Sequence, residues 1–139
     1  MVIADTGAIL ALLDADDTHH RVLRRLFEAA PQRWVLPWAI LPEVDYLVGS
    51  QLGARAEETL LADLADGTFA VEWGRPQDLS EAKRICFKYK ALRLGLVDGV
   101  VIALAERMKA EAIATLDHRH FSAVAIRGNP RLLPRDADA

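Results

Sequence analysis

The sequence predicts an α/β fold with a central, mostly parallel sheet of about four to five strands. Two observations predict it. Short apolar runs alternate along the chain with longer segments whose apolar residues recur at helical spacing. Asp5 and Asp117 directly follow two of these runs, at the carboxyl ends of strands, where parallel sheets bind their ligands. The two carboxylates are therefore expected to be neighbours.

The first half of the chain alternates strands with helices from its first residues. Asp16 or Asp17 is expected to cap the second helix, and Pro31 ends that helix. Proline is tolerated in the first turn of a helix, so the third helix can begin at Pro37 or Pro42. In chain order the predicted elements are a strand over 2–4, a helix over 8–13, a helix from the acidic turn to Pro31, a strand over 34–36, a helix ending near Gly49 or Gly53, a helix ending at Ala65 and a strand over 69–73.

The second half predicts further helices and strands. Asp78 and Glu81 stand three residues apart, as in a capping box that opens a helix. Asp98-Gly99 between apolar runs is also a hairpin signal, but strong helix formers at helical spacing follow it and favour a helix. The predicted elements are a helix with Leu79, Ala82, Ile85, Cys86, Tyr89 and Leu92 on its apolar face, a helix over 96–109, a strand over 113–116 and a fifth strand over 123–126.

Length and composition restrict the class of protein. The 139 residues are expected to form a single domain over 1–139, and a hydrophobic fraction of 52% fits a well-filled core. Cys86 is the only cysteine, which excludes an intramolecular disulfide and favours a cytoplasmic protein. No apolar run is long enough to span a bilayer. The net charge of −3 does not support nucleic-acid binding, although carboxylates in a site can mask a basic rim.

Four acids interrupt apolar sequence, namely Asp5, Glu43, Asp98 and Asp117. Each of them has an ordinary interpretation as a helix cap, a first-turn acid or a turn residue. A buried carboxylate is costly unless it is paired or bound to a metal, and four such acids in one α/β domain favour a metal site. Carboxylates are ligands of Mg²⁺, and a bound metal promotes attack by water on a phosphate. The acids therefore predict metal-assisted phosphodiester cleavage.

Four segments carry a resemblance to a known family. They are Val-Ile-Ala-Asp5-Thr-Gly, Leu-Pro-Glu43-Val, Leu-Val-Asp98-Gly-Val-Val-Ile-Ala-Leu-Ala-Glu-Arg and Ile-Ala-Thr-Leu-Asp117-His-Arg-His-Phe. In order and spacing, over almost the whole chain, the sequence resembles PIN-domain proteins, and specifically the VapC toxins of bacterial toxin–antitoxin pairs. The resemblance implies a three-layer α/β/α sandwich, Mg²⁺ or Mn²⁺ as cofactor and endoribonuclease activity on RNA. It also implies a homodimer and inhibition by a small VapB-like antitoxin.

The resemblance also implies roles for individual residues. Thr6 and Thr115 match hydroxyl positions beside the acids, where they would orient a carboxylate, a water or a phosphate. Gly99 departs from the alanine usual in the family, and we expect this glycine to loosen the turn that carries Asp98. The predicted catalytic residues are Asp5, Glu43, Asp98 and Asp117, of which Asp5, Asp98 and Asp117 match metal ligands. The antitoxin is expected over Leu10, Leu13, Leu26 and Leu47.

Basic side chains near the acids are candidates for contacts with RNA. Arg119 is always charged and can hold a phosphate with two donors. A surface or structural role is expected for His118 and His120, with metal ligation and donation to an RNA phosphate as the alternatives. A basic run leads up to Asp98 and is either a solvated helix face or a rim that tracks phosphates. The run consists of Lys83, Arg84, Lys88, Lys90 and Arg93.

The three tryptophans could stack on unpaired bases. Trp34 and Trp73 fall on predicted strands, so both are expected in the core. Trp38 is close in sequence to Glu43 and is the one expected at the rim of the site.

Two other functions stay open at this point. Asp5-Thr6-Gly7 matches the triplet of aspartic proteases, but those chains are mostly β, and the triplet does not explain the other three acids. Inhibition by EDTA would discriminate, because the protease dyad needs no metal. The domain could also be a binding module of the same fold that is catalytically weak and acts through its partner. The presence of all four acids argues against that reading.

Overall fold

A computed structural model describes residues 1–138 and has a sheet of five strands in the order β3-β2-β1-β4-β5, in which every neighbouring pair is parallel. The α/β prediction is confirmed. The strands are β1 Val2–Ala4, β2 Trp34–Pro37, β3 Ala70–Glu72, β4 Ala112–Ala114 and β5 Arg131–Leu133. The helices are α1 Thr6–Leu13, α2 His20–Ala29, α3 Leu41–Leu52, α4 Ala54–Ala65, α5 Pro76–Lys88, α6 Leu96–Arg107 and α7 His118–Ala123.

The central strands are buried on both faces. Ile3 and Ala4 of β1 and all three residues of β4 are 0% exposed, so both sides of the sheet are covered. Such strands appear in the sequence as continuous apolar runs without alternation. This explains why β1 was predicted with its observed bounds, whereas β4, predicted over 113–116, covers Ala112–Ala114. Among residues 1–138, we find no helix with the length and apolarity that a membrane crossing requires.

The last predicted strand, over 123–126, is wrong. Its first residue, Ala123, ends α7, and β5 instead covers Arg131–Leu133, with Ile113 paired to Leu132. Val124 is buried nonetheless, at 8% exposure. Ala123 and Ala125 are exposed, so this short apolar run is neither a strand nor fully buried, and periodicity alone does not identify a strand in so short a run. Which run joins the sheet is decided by hydrogen bonding to β4.

The start of α5 also differs from the prediction. Asp78 is not the cap but the third residue of the helix, where its carboxylate accepts a hydrogen bond from the N–H of the capping residue Arg75 at 2.7 Å. Glu81 pairs with Arg84 at 3.0 Å and takes no part in the cap. Leu79, predicted on the apolar face, is 48% exposed. The helix therefore begins earlier than predicted. The rest of its predicted apolar face is buried or half-buried, namely Ala82, Ile85, Cys86, Tyr89 and Leu92.

Two further local predictions are corrected. The cap of α2 is His19, because Asp17 accepts a hydrogen bond from the N–H of His19 within the preceding turn, at 2.7 Å. Trp34 is in the core as predicted, at 2% exposure, whereas Trp73 is 73% exposed. β3 ends at Glu72 on the edge of the sheet, so no neighbouring strand covers the residue that follows it.

Helices α5 and α6 pack closely because Gly99 has no side chain. A Cβ added at Gly99 would lie 3.0 Å from the Cβ of Ala82 and 3.0 Å from the Sγ of Cys86. The same helix pair is held at its other end by Arg107, whose guanidinium donates to both carboxylate oxygens of buried Asp78 at 2.8 and 3.0 Å. Gly99 thus permits the close approach of the helix that carries Asp98.

We expect Gly99→Ala to destabilise the protein. Overpacking costs about 1–3 kcal/mol, which exceeds the gain of about 0.5–1 kcal/mol from replacing glycine within a helix. The free energy of unfolding, measured with urea, should fall by about 1 kcal/mol. Gly49→Ala in α3 is the matched control, since its Cβ would meet only the movable carboxylate of Glu57, at 3.2 Å. Equal stabilisation by both substitutions would contradict this account.

Candidate metal centre

The pairing of β1 with β4 places Asp5 beside Thr115 at the carboxyl edge of the sheet. The N–H of Asp5 donates to the carbonyl of Ala114 at 2.8 Å, which continues the ladder one residue past the strand. The hydroxyl of Thr115 donates to Oδ2 of Asp5 at 3.0 Å, and the N–H of Thr6 donates to Oδ1 at 2.9 Å. Asp5 is therefore both the N-cap of α1 and a buried carboxylate, at 7% exposure.

The same threonine hydroxyl positions Asp117. The N–H of Asp117 donates to Oγ1 of Thr115 at 3.0 Å. Asp117 caps α7 by accepting from the N–H of His120 at 3.1 Å, and its other oxygen lies 2.8 Å from Nδ1 of His120. One hydroxyl thus connects two of the predicted site residues, and the short helix α7 adds an imidazole.

Asp98 and Glu43 reach the same place from two other helices. Asp98 is in the first turn of α6, where Oδ2 accepts from the N–H of Gly95 at 3.3 Å and lies 3.9 Å from Nδ1 of His120. Glu43 is in the first turn of α3 and is exposed. All four predicted acids line one open cleft of about 830 Å³. Of the described residues that line this cleft, none is a lysine or an arginine.

The pKa values of two acids reflect this arrangement. Burial raises the pKa of Asp5 to about 6, and the charges of Asp98 and Asp117 add to the increase, against hydrogen bonds from Thr6 and Thr115 that lower it. Burial also raises the pKa of Asp98, with the charges of Asp117 and Glu43 acting in the same direction. The N–H of Gly95 and the imidazole of His120 oppose that increase. The cleft therefore disfavours the full set of negative charges that neutral pH imposes on it.

The side chains present fit a divalent cation. Asp98, Asp117 and His120 each offer one ligand atom, and these atoms lie within 4.8 Å of one another. Carboxylate oxygens are hard donors suited to Mg²⁺ or Mn²⁺, and a cation would relieve the repulsion among the acids. The hydroxyl of Thr6 is buried in the cleft wall, with no hydrogen-bond partner among residues 1–138. It is available to a ligand of the cleft.

His120 is the site residue that the sequence prediction did not commit to. It was assigned a surface or structural role, yet its Nδ1 contacts Asp117 directly. A signal existed, because an N-cap aspartate places its side chain beside the residue three positions later. Recognising that signal requires knowing that α7 begins at His118, whereas this segment was predicted to lead into a strand.

The remaining candidates from the sequence lie outside the cleft. Arg119 is exposed on α7 and does not line the cleft. Trp38, expected at the rim, packs instead against the small cluster of Ala82, Val100 and Leu104. The basic run is exposed along α5 and the turn after it, and its last member, Arg93, precedes the cleft-lining Gly95 by two residues.

Comparisons with known proteins find relatives that match most of the chain. A family model described as the PIN domain matches residues 2–127. The chain is 34% identical to ribonuclease VapC26 of Mycobacterium tuberculosis over 130 residues, which cover 94% of this chain and 96% of that protein. The residues matched by the family model include all four acidic segments.

Solved structures share the fold at lower identity. The sarcin–ricin-loop-cleaving toxin VapC20 of Mycobacterium tuberculosis superposes with a TM-score of 0.79 at 21% identity, covering 92% of this chain and 98% of the other. A toxin–antitoxin complex from Klebsiella pneumoniae gives 0.70 at 18% identity, covering 90% and 93% of the two chains. FitAcB of Neisseria gonorrhoeae gives 0.65 at 18% identity, covering 95% and 96%.

We expect Asp5→Asn to stabilise the protein near neutral pH. An acid whose folded pKa is raised, here to about 6, contributes stability below its unfolded pKa and loses it as pH rises through the folded value. The amide removes that loss, by about 1–3 kcal/mol at about pH 7.5. Urea unfolding in EDTA should show this gain at about pH 7.5 and little gain at about pH 4.

Asp66→Asn provides the control for that comparison. Asp66 is an exposed carboxylate whose pKa is held below its usual value by hydrogen bonds from the hydroxyl and N–H of Thr68. A carboxylate whose folded pKa is lowered stabilises the folded state near neutral pH, so its replacement by an amide should give no gain in the free energy of unfolding there. If Asp5→Asn proves less stable than the wild type at about pH 7.5, the burial argument fails.

Proposed function

Because this chain belongs to the PIN-domain family, we propose that it is a Mg²⁺-dependent endoribonuclease and the toxin of a toxin–antitoxin pair. Mn²⁺ would substitute for Mg²⁺. One observation carries the proposal, namely that four carboxylates from four helix starts line a single cleft that contains no lysine or arginine among its described lining residues. The relative named as a ribonuclease supports RNA as the substrate.

Within this cleft we assign the metal to Asp5, Asp98 and Asp117, with Asp5 on the buried wall and Glu43 at the exposed mouth. When bound, a divalent metal supplies a nucleophile from water at neutral pH and offsets the charge that develops on the phosphate. Thr115 holds the carboxylate of Asp5 and the backbone of Asp117 in fixed positions.

Two neighbouring side chains complete the assignment. His120 donates from Nδ1 to Asp117 and so fixes the orientation of that carboxylate. The unpartnered hydroxyl of Thr6 offers a hydrogen bond to a substrate phosphate or its water. Neither of these groups needs to form a covalent bond with RNA.

The protease reading finds no support in the fold. Residues 1–138 form a parallel α/β structure, with strands of three or four residues, whereas the Asp-Thr-Gly proteases are mostly β. The carboxylate of Asp5 accepts hydrogen bonds from Thr6 and Thr115. Three further acids line the same cleft, which the protease triplet does not explain. The binding-module reading shares the fold, so only an activity measurement separates it from a nuclease.

Partners of the toxin follow from the same proposal. We propose a small antitoxin partner, a homodimer and a cytoplasmic location for a protein whose residues 1–139 act as one domain. Leu10 and Leu47 line the acidic cleft itself, and Leu13 and Leu26 lie half-buried against the core. An apolar segment of the partner laid over these leucines would end beside the acids and could carry a basic side chain to them.

The nuclease assignment is tested with Asp98→Asn. Cleavage of a labelled RNA with Mg²⁺ should fall by about 100-fold or more, because the variant loses a metal ligand, and EDTA should abolish cleavage by the wild type. Glu58→Gln removes the same charge from an exposed site on α4 and should leave the rate unchanged. Cleavage that persists in EDTA or in Asp98→Asn would mean that the metal assignment is wrong.

The partner surface is tested by co-expression with the open reading frame that adjoins the gene. We expect the small protein encoded there to co-purify with the wild type and to be lost from Leu47→Arg, since a charge on that half-buried surface opposes apolar docking. Leu61→Arg is the control, because Leu61 lies on a different helix, α4, and is 51% exposed. Retention of the partner by Leu47→Arg, with an unchanged melting temperature, would place the docking surface elsewhere.

A further inference from the structure

An exposed aromatic ring on α5 lies close to two lysines. Phe87, near the end of α5, is 60% exposed. The Nζ of Lys83 lies 5.5 Å from the ring centroid, and the Nζ of Lys90 lies 5.6 Å from it. We call these three side chains the Phe87 platform. Neighbouring Ala82 and Ile85 are buried, so α5 packs with its other face, and the core does not need the ring.

The segment around the platform is locally basic in an acidic protein. No acid occurs between Glu81 and Asp98, although the chain as a whole has a net charge of −3. Arg84 is compensated by Glu81 and Glu106, at 3.0 and 3.9 Å. Within residues 1–138, the other cations of this segment have no carboxylate partner. They are Lys83, Lys88, Lys90 and Arg93.

A short series of contacts joins the platform to the cleft. Cys86, next to Phe87, contacts the carbonyl of Gly95 through its Sγ at 3.5 Å. Gly95 lines the cleft, and its N–H donates to Asp98 at 3.3 Å. Arg93, in the left-handed conformation at φ 53°, turns the chain from the platform towards Gly95. The platform is thus joined to the cleft through Cys86 and Gly95, although none of its three side chains lines the cleft itself.

We propose that the Phe87 platform binds an unpaired base of the RNA by stacking and holds the phosphates on either side of it. This inference rests on the proposed ribonuclease function of the cleft. A lysine over an exposed ring is weakly held, whereas a base on an aromatic ring stacks strongly. A base can therefore displace one ammonium group, which then pairs with an adjacent phosphate.

The chemistry favours unpaired RNA over two other occupants. A base inside a duplex has no free face to offer, so double-stranded RNA would use the lysines alone. An acidic peptide would also use only the lysines and leave the ring without a partner. The combination of ring and flanking cations is the arrangement that binds single strands.

The test uses the full chain carrying Asp98→Asn, so that binding is measured without cleavage. The probe is a fluorescein-labelled single-stranded RNA of about 12 nucleotides, and the readout is fluorescence anisotropy. We expect Phe87→Ala to weaken binding by about tenfold, Phe87→Leu to be as weak, and Phe87→Trp to retain the affinity. Lys83→Gln and Lys90→Gln should each reduce the slope of log affinity against log salt by about 0.7.

Trp73→Ala is the matched control, because it removes an exposed aromatic residue that follows the edge strand. It should leave the affinity unchanged. Thermal melts verify that each variant folds. We expect the Phe87 variants to fold because this side chain is exposed. An affinity of Phe87→Ala within about twofold of its parent, or an equal loss on duplex RNA, would overturn the proposal.

Two further outcomes separate this inference from the function it rests on. Unchanged RNA affinity of Phe87→Ala, together with loss of the co-purifying small protein, would assign the platform to that protein and overturn the proposal. If Asp98→Asn abolishes cleavage as expected but Phe87→Ala does not change RNA affinity, the platform proposal is wrong and the nuclease proposal stands. If Asp98→Asn still cleaves RNA, the proposed metal-dependent nuclease function is wrong, regardless of the RNA affinity measured by anisotropy.

Discussion

The parallel pairing of β1 with β4 is the constraint on which the site depends. Its register, with Ala4 opposite Ala114, sets Asp5 and Thr115 side by side immediately beyond the strands. The hydroxyl of Thr115 then bonds to both Asp5 and the N–H of Asp117, so a single side chain holds two elements of the cleft together. A slip of one residue would turn Asp5 to the other face of the sheet, and the buried strands prevent that slip.

Each acid of the cleft also belongs to the start of a helix, so the structural and chemical interpretations are not alternatives. Asp5 and Asp117 are N-caps, and Glu43 and Asp98 lie in first turns. The partial positive charge at helix N-termini stabilises carboxylates and partly offsets their mutual repulsion. This partial charge does not fully offset the cost of desolvating the buried carboxylate of Asp5, whose pKa stays raised to about 6. The fold thus maintains a site that is unfavourable when empty of cations.

The acidic cleft and a segment rich in lysine and arginine occupy neighbouring parts of the chain. A polyanion is repelled by the cleft unless a cation is present there, while the basic segment ending at Arg93 attracts it to the lip. The close packing of α5 on α6 at Gly99 brings these two regions together. The sequence prediction left the basic run as either a solvated face or a rim. The exposed ring of Phe87 between Lys83 and Lys90 is what favours the rim.

By itself the sequence determined the order of strands and helices up to β4 and the four acids of the cleft. Continuous apolar runs mark buried parallel strands, Asp5 and Asp117 follow two of these runs, and Glu43 and Asp98 interrupt apolar sequence at helix starts. Tertiary structure alone decided that 131–133 joins the sheet, that Trp73 is exposed and that His120 bonds to Asp117. These features depend on which segments pair or pack across long separations. Apolar periodicity indicates which segments contact the core, but not which partner each segment pairs with or where its contact ends.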